Sequence, residues 1–289
     1  MQTPEDADKH GLALRQQRFQ MLEDIAQELR TDVVFPTCFD VAIKLREMLS
    51  DENVALDKLS ALISLDPLIP VRLLRLANSA AYNPAGQTVR DVKSAVIRLG
   101  LKVVRATALA TAMKQLLRSR DMAEFKGLAD TLWEHSLLSA SAAYVIARRL
   151  TRLNADEAML AGLIHDLGAF YMLYRATHYS ELRSRPDTVR YLVAQWHESI
   201  GVTLVEALRV PGDIVEAIRD HDQPRDIPDE PRTLADVVHV SNVIAGGGVE
   251  WLLQEGEDRA AECLAEGSVY HALEAEIHAH AKDMRAAFD

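Results

Sequence analysis

The chain has 289 residues, of which 48% are hydrophobic and 26% charged, and a net charge of −11. That composition excludes intrinsic disorder, and the length suffices for one large domain or two fused lobes that bury a core without covalent staples. An acidic chain with no long basic stripe is a poor nucleic-acid binder, and no apolar run approaches the ~20 residues that span a bilayer. Cys38 and Cys263 stand far apart in no CxxC pattern, which suits a reducing compartment and a fold without disulfides. Met1–Asp8 is acidic and lacks an apolar core, so it does not read as a secretory signal. The expected location is the cytoplasm.

Helical periodicity dominates, and no alternating strand pattern emerges. The expected fold is all-α, a two-lobed helical bundle. Residues 1–30 form an N-terminal helical extension, 31–120 a first lobe, and 121–289 a second lobe with closing helices. After the lead-in helix, Val33-Val-Phe-Pro36 breaks the pattern. Short helices follow at Asp40–Leu49, Leu56–Ile63 and Pro70–Asn78, then a turn at Asn83-Pro-Ala-Gly86. Val92–Leu99 and Lys102–Leu117 are helical, and Gly100 between them is a stop or a close-packing point. Leu132–Leu150 is a long amphipathic helix carrying His135. Asn154 and Glu157 have capping-box spacing. The helix they open carries His165-Asp166 and runs into the aromatic stretch Phe170, Tyr171 and Tyr174. Asp187–Leu208 carries His197, and Asp213–Asp220 leads to His221-Asp222. Leu234–Ala245 ends at Gly246-Gly-Gly248, and two more helices close the chain.

The most informative feature is the adjacent pair His165-Asp166 in a stretch otherwise suited to burial. An ionised carboxylate is costly to bury unless it is paired or binds a metal. His135 precedes the pair, and His197 and His221 follow it. Imidazole plus carboxylate suits Mn, Fe, Ni or Zn. Adjacent residues on a helix point about 100° apart, so the pair can share one ion. The other members could converge only if the bundle brings their helices together. His178, His239, His271, His278 and His280 have no such company and read as solvated surface. Asn78 reads as a cap or turn at the end of its helix, and Tyr171 and Tyr174 read as core.

The first lobe carries a resemblance. Phe35-Pro36, Ile63-Ser-Leu-Asp-Pro67, Leu73-Leu-Arg-Leu-Ala-Asn-Ser79, Tyr82 and Ser94-Ala-Val-Ile-Arg-Leu-Gly100 resemble the HDOD family, the HD-related output domains of bacterial signalling proteins, over about residues 30–225. The resemblance implies an all-helical fold and a regulatory role. The second lobe is similar to the wider HD superfamily, including the HD-GYP phosphodiesterases. Trp133-Glu-His135 resembles the first metal histidine, Ile164-His-Asp-Leu-Gly168 the HD motif, and Trp196-His197 with Ala217-Ile-Arg-Asp-His221 the later histidine segments. The resemblance thus implies metal ligands at His135, His165, Asp166, His197 and His221. These should converge on one pocket, with His221 at its edge.

The departures point the other way. Where HD-GYP enzymes follow the motif with lysine, this chain has Ala169. A lysine there would neutralise phosphate charge. The second histidine of the usual double histidine is Asp222, and the closing aspartate is Asn242. Asparagine offers a carbonyl oxygen without charge. No Gly-Tyr-Pro follows His221, so cyclic di-GMP hydrolysis has no direct support. The expected function is signal transduction through a regulatory partner protein or a small nucleotide or phosphorylated ligand. The alternatives are a metal-dependent phosphohydrolase, in which an ion lowers the pKa of a bound water, and a nucleotide sensor without turnover. No nucleic-acid or membrane partner is expected.

Overall fold

The computed structural model describes residues 12–30, 37–48, 55–247, 263–264 and 266–289. The break at Val33–Pro36, the start of the N-terminal extension, Gly248 and the first of the two closing helices lie outside them. Among the described residues there are helices and no strand, so the fold is all-α. The helices are α1 Leu12–Arg30, α2 Asp40–Met48, α3 Leu56–Ile63, α4 Leu68–Ala77, α5 Val92–Leu117, α6 Lys126–Leu150, α7 Ala155–Ile164, α8 Leu167–Ala176, α9 Ser180–Arg183, α10 Pro186–Ala207, α11 Gly212–Ile218, α12 Leu234–Ile244 and α13 Glu274–Phe288. None of them is long and apolar enough to cross a membrane.

Local chemistry sets the helix starts. The Asp91 carboxylate accepts from Ser94 N (2.9 Å) and Ser94 Oγ (2.7 Å) at the head of α5. Asn154 accepts from Glu157 N (3.0 Å) to open α7. Thr233 and Asp236 form a reciprocal capping box at α12. Gly100 has φ 76°, and nothing lies within 4 Å of the Cβ it lacks. It therefore kinks α5 through its left-handed backbone and serves no close packing. Asn78 ties off α4: its amide donates to Leu74 O (2.9 Å) and Val89 O (2.8 Å), and its oxygen accepts from Val89 N (2.8 Å).

Helix α6 is the axis of the molecule, with α7, α12 and α13 packed on it and α10 on α8. Both ends of the chain brace distant parts of the bundle. On α1, Glu28 accepts from Tyr171 Oη (2.7 Å) and pairs with Arg175, and Asp24 accepts from Tyr179. On α13, Phe288 O accepts from Arg72 (3.1 Å) and Ala286 O from Arg75 (2.8 Å). Tyr171 is buried and Tyr174 half-buried, in keeping with a core role.

The surface reading fails for two histidines. His239 is 2% exposed and His280 5% exposed. His239 lies on α12, whose residues from Val237 onward are all buried. His280 stacks on Tyr144 of α6, with ring centroids 4.5 Å apart and planes at 16°. An aromatic ring that stacks is at home in a core, and spacing along one helix could not reveal its partner.

Candidate metal centre

Four helical segments deliver the predicted residues to one place. His135 comes from α6, His165 and Asp166 from the junction of α7 and α8, His197 from the middle of α10, and His221 from the turn after α11. All five are buried. His221 sits inside the group, not at its edge.

The helix expected to continue through His165-Asp166 breaks there: α7 ends at Ile164 and α8 begins at Leu167. Asp166 occupies the N-cap position of α8, yet its side chain makes no capping bond. Its main-chain oxygen instead accepts from Ala169 N (2.9 Å). An N-cap aspartate typically contributes about 1 kcal/mol, and Asp166 forgoes it by turning its carboxylate to the imidazoles. Two further devices fix the geometry. A Cβ on Gly168 would lie 2.0 Å from His197 O and 2.6 Å from Gly201 N, so glycine is what lets α8 touch α10 at this depth. Asp220 adopts φ 55°, the left-handed region that aspartate tolerates better than most residues, just before His221.

Each imidazole turns Nδ1 to a backbone carbonyl: His135 to Ala245 (3.1 Å), His165 to Gly162 (2.8 Å), His197 to Val193 (2.9 Å) and His221 to Ile218 (2.8 Å). A carbonyl only accepts. Each Nδ1 therefore carries a proton and donates, and a ring with no second proton presents an Nε2 lone pair inward. Asp166 bridges the two pairs. Its Oδ2 lies 3.3 Å from His135 Nε2 and 3.4 Å from His165 Nε2. Its Oδ1 lies 3.3 Å from His197 Nε2 and 3.2 Å from His221 Nε2. Two triads result, His135–His165–Asp166 and Asp166–His197–His221.

These distances suit a cation. First-row ions bond such atoms at about 2.0–2.2 Å, giving ligand-to-ligand edges of about 3.0 Å in an octahedron and about 3.4 Å in a tetrahedron. The edges of both triads lie between 3.0 and 3.4 Å. Three buried oxygens in or beside the group also lack a hydrogen bond: Asp166 Oδ2, Asp222 Oδ2 and Asn242 Oδ1. Buried polar atoms are rarely left so.

The sequence reading noted Asp222 only as a missing histidine. Its Oδ2 lies 3.2 Å from His197 Nε2, so it adds a second carboxylate to the second triad. The signal was the repetition of histidine followed by aspartate at 165–166 and 221–222. Asn242, in the place of the closing aspartate, donates to Asp222 Oδ1 (2.9 Å) and so orients that carboxylate.

Protons can fill part of the same space. Burial opposes charge on His197, but the Asp166 and Asp222 carboxylates beside it outweigh burial and hold its pKa well above the ordinary value. Burial opposes charge on His221 as well, and Asp222 and Asp166 raise it. Burial alone would raise Asp166, yet His165 and the bonds from His197 and His221 hold it well below the carboxylate range. Asp222 falls to about 2 against its burial because His221 and His197 stand beside it. His165 is pushed the other way by burial, down to about 4.

A cavity of 420 Å³ lies against His135, the one candidate ligand on its wall, with Asp130, Thr131, Glu134, Leu138, Ala245 and Arg285. Ala169 is fully buried, so the position where HD-GYP enzymes place lysine faces packed protein.

Residues 35–224 match the HDOD domain family. A structure from Shewanella amazonensis SB2B, described as a candidate metal-dependent phosphohydrolase, superposes with a TM-score of 0.73 at 23% identity, covering 94% of this chain and 99% of that one. An HDOD domain protein with unknown function from Geobacter sulfurreducens gives a TM-score of 0.56 at 20% identity, covering 93% and 98%. At these identities the likeness is one of fold. An uncharacterized protein of Treponema pallidum (strain Nichols) is 25% identical over 217 residues, 70% of this chain but 40% of that relative's length. With the family match covering residues 35–224, as far as the turn that carries His221 and Asp222, the chain belongs to the HDOD domain family.

Proposed function

We propose that this chain is a bacterial signal-transduction protein that holds a divalent transition metal, one of Fe, Mn, Ni or Zn, and acts by binding a regulatory partner protein or a phosphorylated small ligand. The observation that carries the metal is the orientation of four Nε2 atoms toward the Asp166 carboxylate, each ring locked by a carbonyl on Nδ1. The protein's own part is positional. His135, His165, His197 and His221 supply neutral nitrogen, Asp166 and Asp222 supply charge, and Asn242 orients Asp222. Membership of the HDOD family supports the signalling role. The burial of every candidate ligand supports a structural or sensing ion over rapid turnover.

One feature favours a second reading, metal-dependent phosphohydrolysis. The cavity at His135 touches one member of the first triad and carries on its wall the Arg285 guanidinium, paired with Glu134, a group that suits phosphate. An ion at the centre would supply Lewis acidity toward a phosphoryl oxygen and lower the pKa of a bound water. Elemental analysis of protein expressed in metal-supplemented medium, paired with hydrolysis assays on bis(p-nitrophenyl) phosphate and cyclic di-GMP, separates the readings. The expected result is stoichiometric metal with little hydrolysis. Metal-dependent turnover of several per second would establish the enzyme instead, and metal-free protein would leave protons as the charge compensation. Pull-down from a bacterial lysate, repeated with His165→Ala, tests whether partner binding depends on the centre.

A further inference from the structure

A second cavity, of 590 Å³, lies where α5 ends, the 3-10 turn Arg120–Phe125 follows and α6 begins. Its charged lining is Lys114, Arg118, Lys126 and Asp130, and Lys126 is paired with Asp130 across one wall. The helices that lead into it are basic in an acidic protein, with ten lysines and arginines against three acidic residues over 56–118 and a net charge of −11 for the chain, and the lining itself carries three cations to one carboxylate.

Lys114 is the unusual member. It is 9% exposed, and its ammonium sits 4.7 Å from the centre of the Trp133 ring. Among the described residues its nearest counter-charge is Asp289 Oδ1 at 3.7 Å, beyond hydrogen-bond reach. Arg118 stands at the same 3.7 Å from that oxygen. Ser119 Oγ, also on the cavity wall, is buried without a hydrogen-bond partner. Arg72 and Arg75 already hold the last carbonyls of α13. Lys114 and Arg118 make no such bond and are left to the cavity. A half-buried ammonium with no close counter-charge favours an added anion, and a concave site of net positive charge concentrates such ions.

We infer that the Lys114–Arg118–Lys126 cavity is a binding site for a compact polyanion, a phosphate- or carboxylate-bearing small ligand, separate from the metal centre. Arg118 offers a planar fork for an oxyanion and the two lysines offer point charges. Ser119 donates its hydroxyl. Burial holds the Lys114 ammonium below its ordinary pKa, and Arg118 adds to that shift. An anion in the cavity offsets that shift by its own charge.

The test is calorimetric titration of the full chain with inorganic pyrophosphate and, separately, citrate. It is run at ~0.15 M ionic strength, where exposed charges are screened beyond about 8 Å. The neutral chelator 1,10-phenanthroline is present throughout, so that binding through a metal is not read. The expected result is one saturable site with a Kd below about 1 mM. Arg118→Gln and Lys126→Gln, both at exposed positions, each weaken it by about tenfold, as befits a charge-assisted contact. Lys114→Met abolishes it. Tighter pyrophosphate assigns the ligand to phosphates, and tighter citrate to carboxylates. Absence of saturable binding, or binding unchanged in Arg118→Gln and Lys126→Gln, would overturn the inference and leave the cluster as a brace for α13. Those two variants decide the matter even if Lys114→Met does not fold.

Discussion

His135 Nε2 and His165 Nε2 stand 3.0 Å apart, each on a ring whose Nδ1 is engaged by a backbone carbonyl. Two lone pairs facing one another at that distance repel unless a cation lies between them or beside them. A proton on one ring serves, and so does a metal ion. Burial pushes His165 down to about 4, so near neutral pH that ring does not supply the proton.

Metal addition should therefore stabilise the protein and displace protons from the centre. At a free ion concentration of 100 times Kd the gain is about 2.7 kcal/mol. Imidazolium must lose its proton to bind metal, and His197 and His221 have raised pKa values, so apparent affinity rises with pH. Calorimetry in buffers of different ionisation enthalpy reads the released protons directly. The double variant His165→Ala with Asp166→Ala should abolish both the stabilisation and the release. Retention of either would place the ion elsewhere.

Gly168→Ala tests the scaffold that sets the centre. The added Cβ would meet His197 O at 2.0 Å and Gly201 N at 2.6 Å, both backbone atoms that cannot swing aside. Helices α8 and α10 must separate, which carries His197 away from Asp166. Overpacking of this kind costs roughly 1–3 kcal/mol or more. Chemical denaturation and metal content should fall together. A variant of unchanged stability would mean that the two helices are not in contact at this depth.

How much of this was legible before folding depended on range. Helix existence, the Asn154 cap and the role of Asn78 are local, and the sequence carries their signals. The five candidate ligands were nameable from motif resemblance, but their convergence was not. It depends on contacts between helices, among them the Gly168–Gly201 touch, which no spacing encodes. The break at His165-Asp166 was hidden because the apolar run continues through it and no proline marks it. Asp222 was overlooked because a resemblance directs attention to the missing histidine, not to the carboxylate in its place. His280 was misjudged because its partner, Tyr144, lies on another helix.

That buried histidine predicts a pH dependence outside the metal centre. Burial holds His280 at about 4, against 6.5 in an open chain. Above pH 6.5 it is neutral in both states. As pH falls from 6.5 toward 4 the unfolded chain takes a proton that the folded protein refuses, so stability is lost across that window. Between pH 7 and pH 5 the loss is about 2 kcal/mol. His280→Phe keeps a ring against Tyr144 and removes the titration. Its urea-denaturation stability should therefore fall less than wild type over that interval. His165, also held near 4, contributes the same slope to both proteins and cancels in the difference. Equal pH dependence would show that His280 titrates normally in the folded state.

Asn242→Asp asks whether the centre was built to hold charge or has shed it. The asparagine amide donates to Asp222 Oδ1 at 2.9 Å. A carboxylate there replaces a donor with a like charge in a buried place, beside Asp222. Without metal the variant should lose roughly 1–3 kcal/mol, the cost of a buried acceptor left unpaired, or take up a proton at position 242. With a divalent ion the third carboxylate becomes an additional ligand, so metal-dependent stabilisation should exceed that of wild type. Restoring lysine at position 169 is a poorer test, since Ala169 is fully buried and a long side chain has no room. Thermal unfolding of Asn242→Asp with and without added Mn²⁺ separates the cases. A larger gain on metal addition marks a site still arranged around an ion. Equal loss in both conditions would mean that Asn242 serves only to brace Asp222, and that protons balance the charges at the centre.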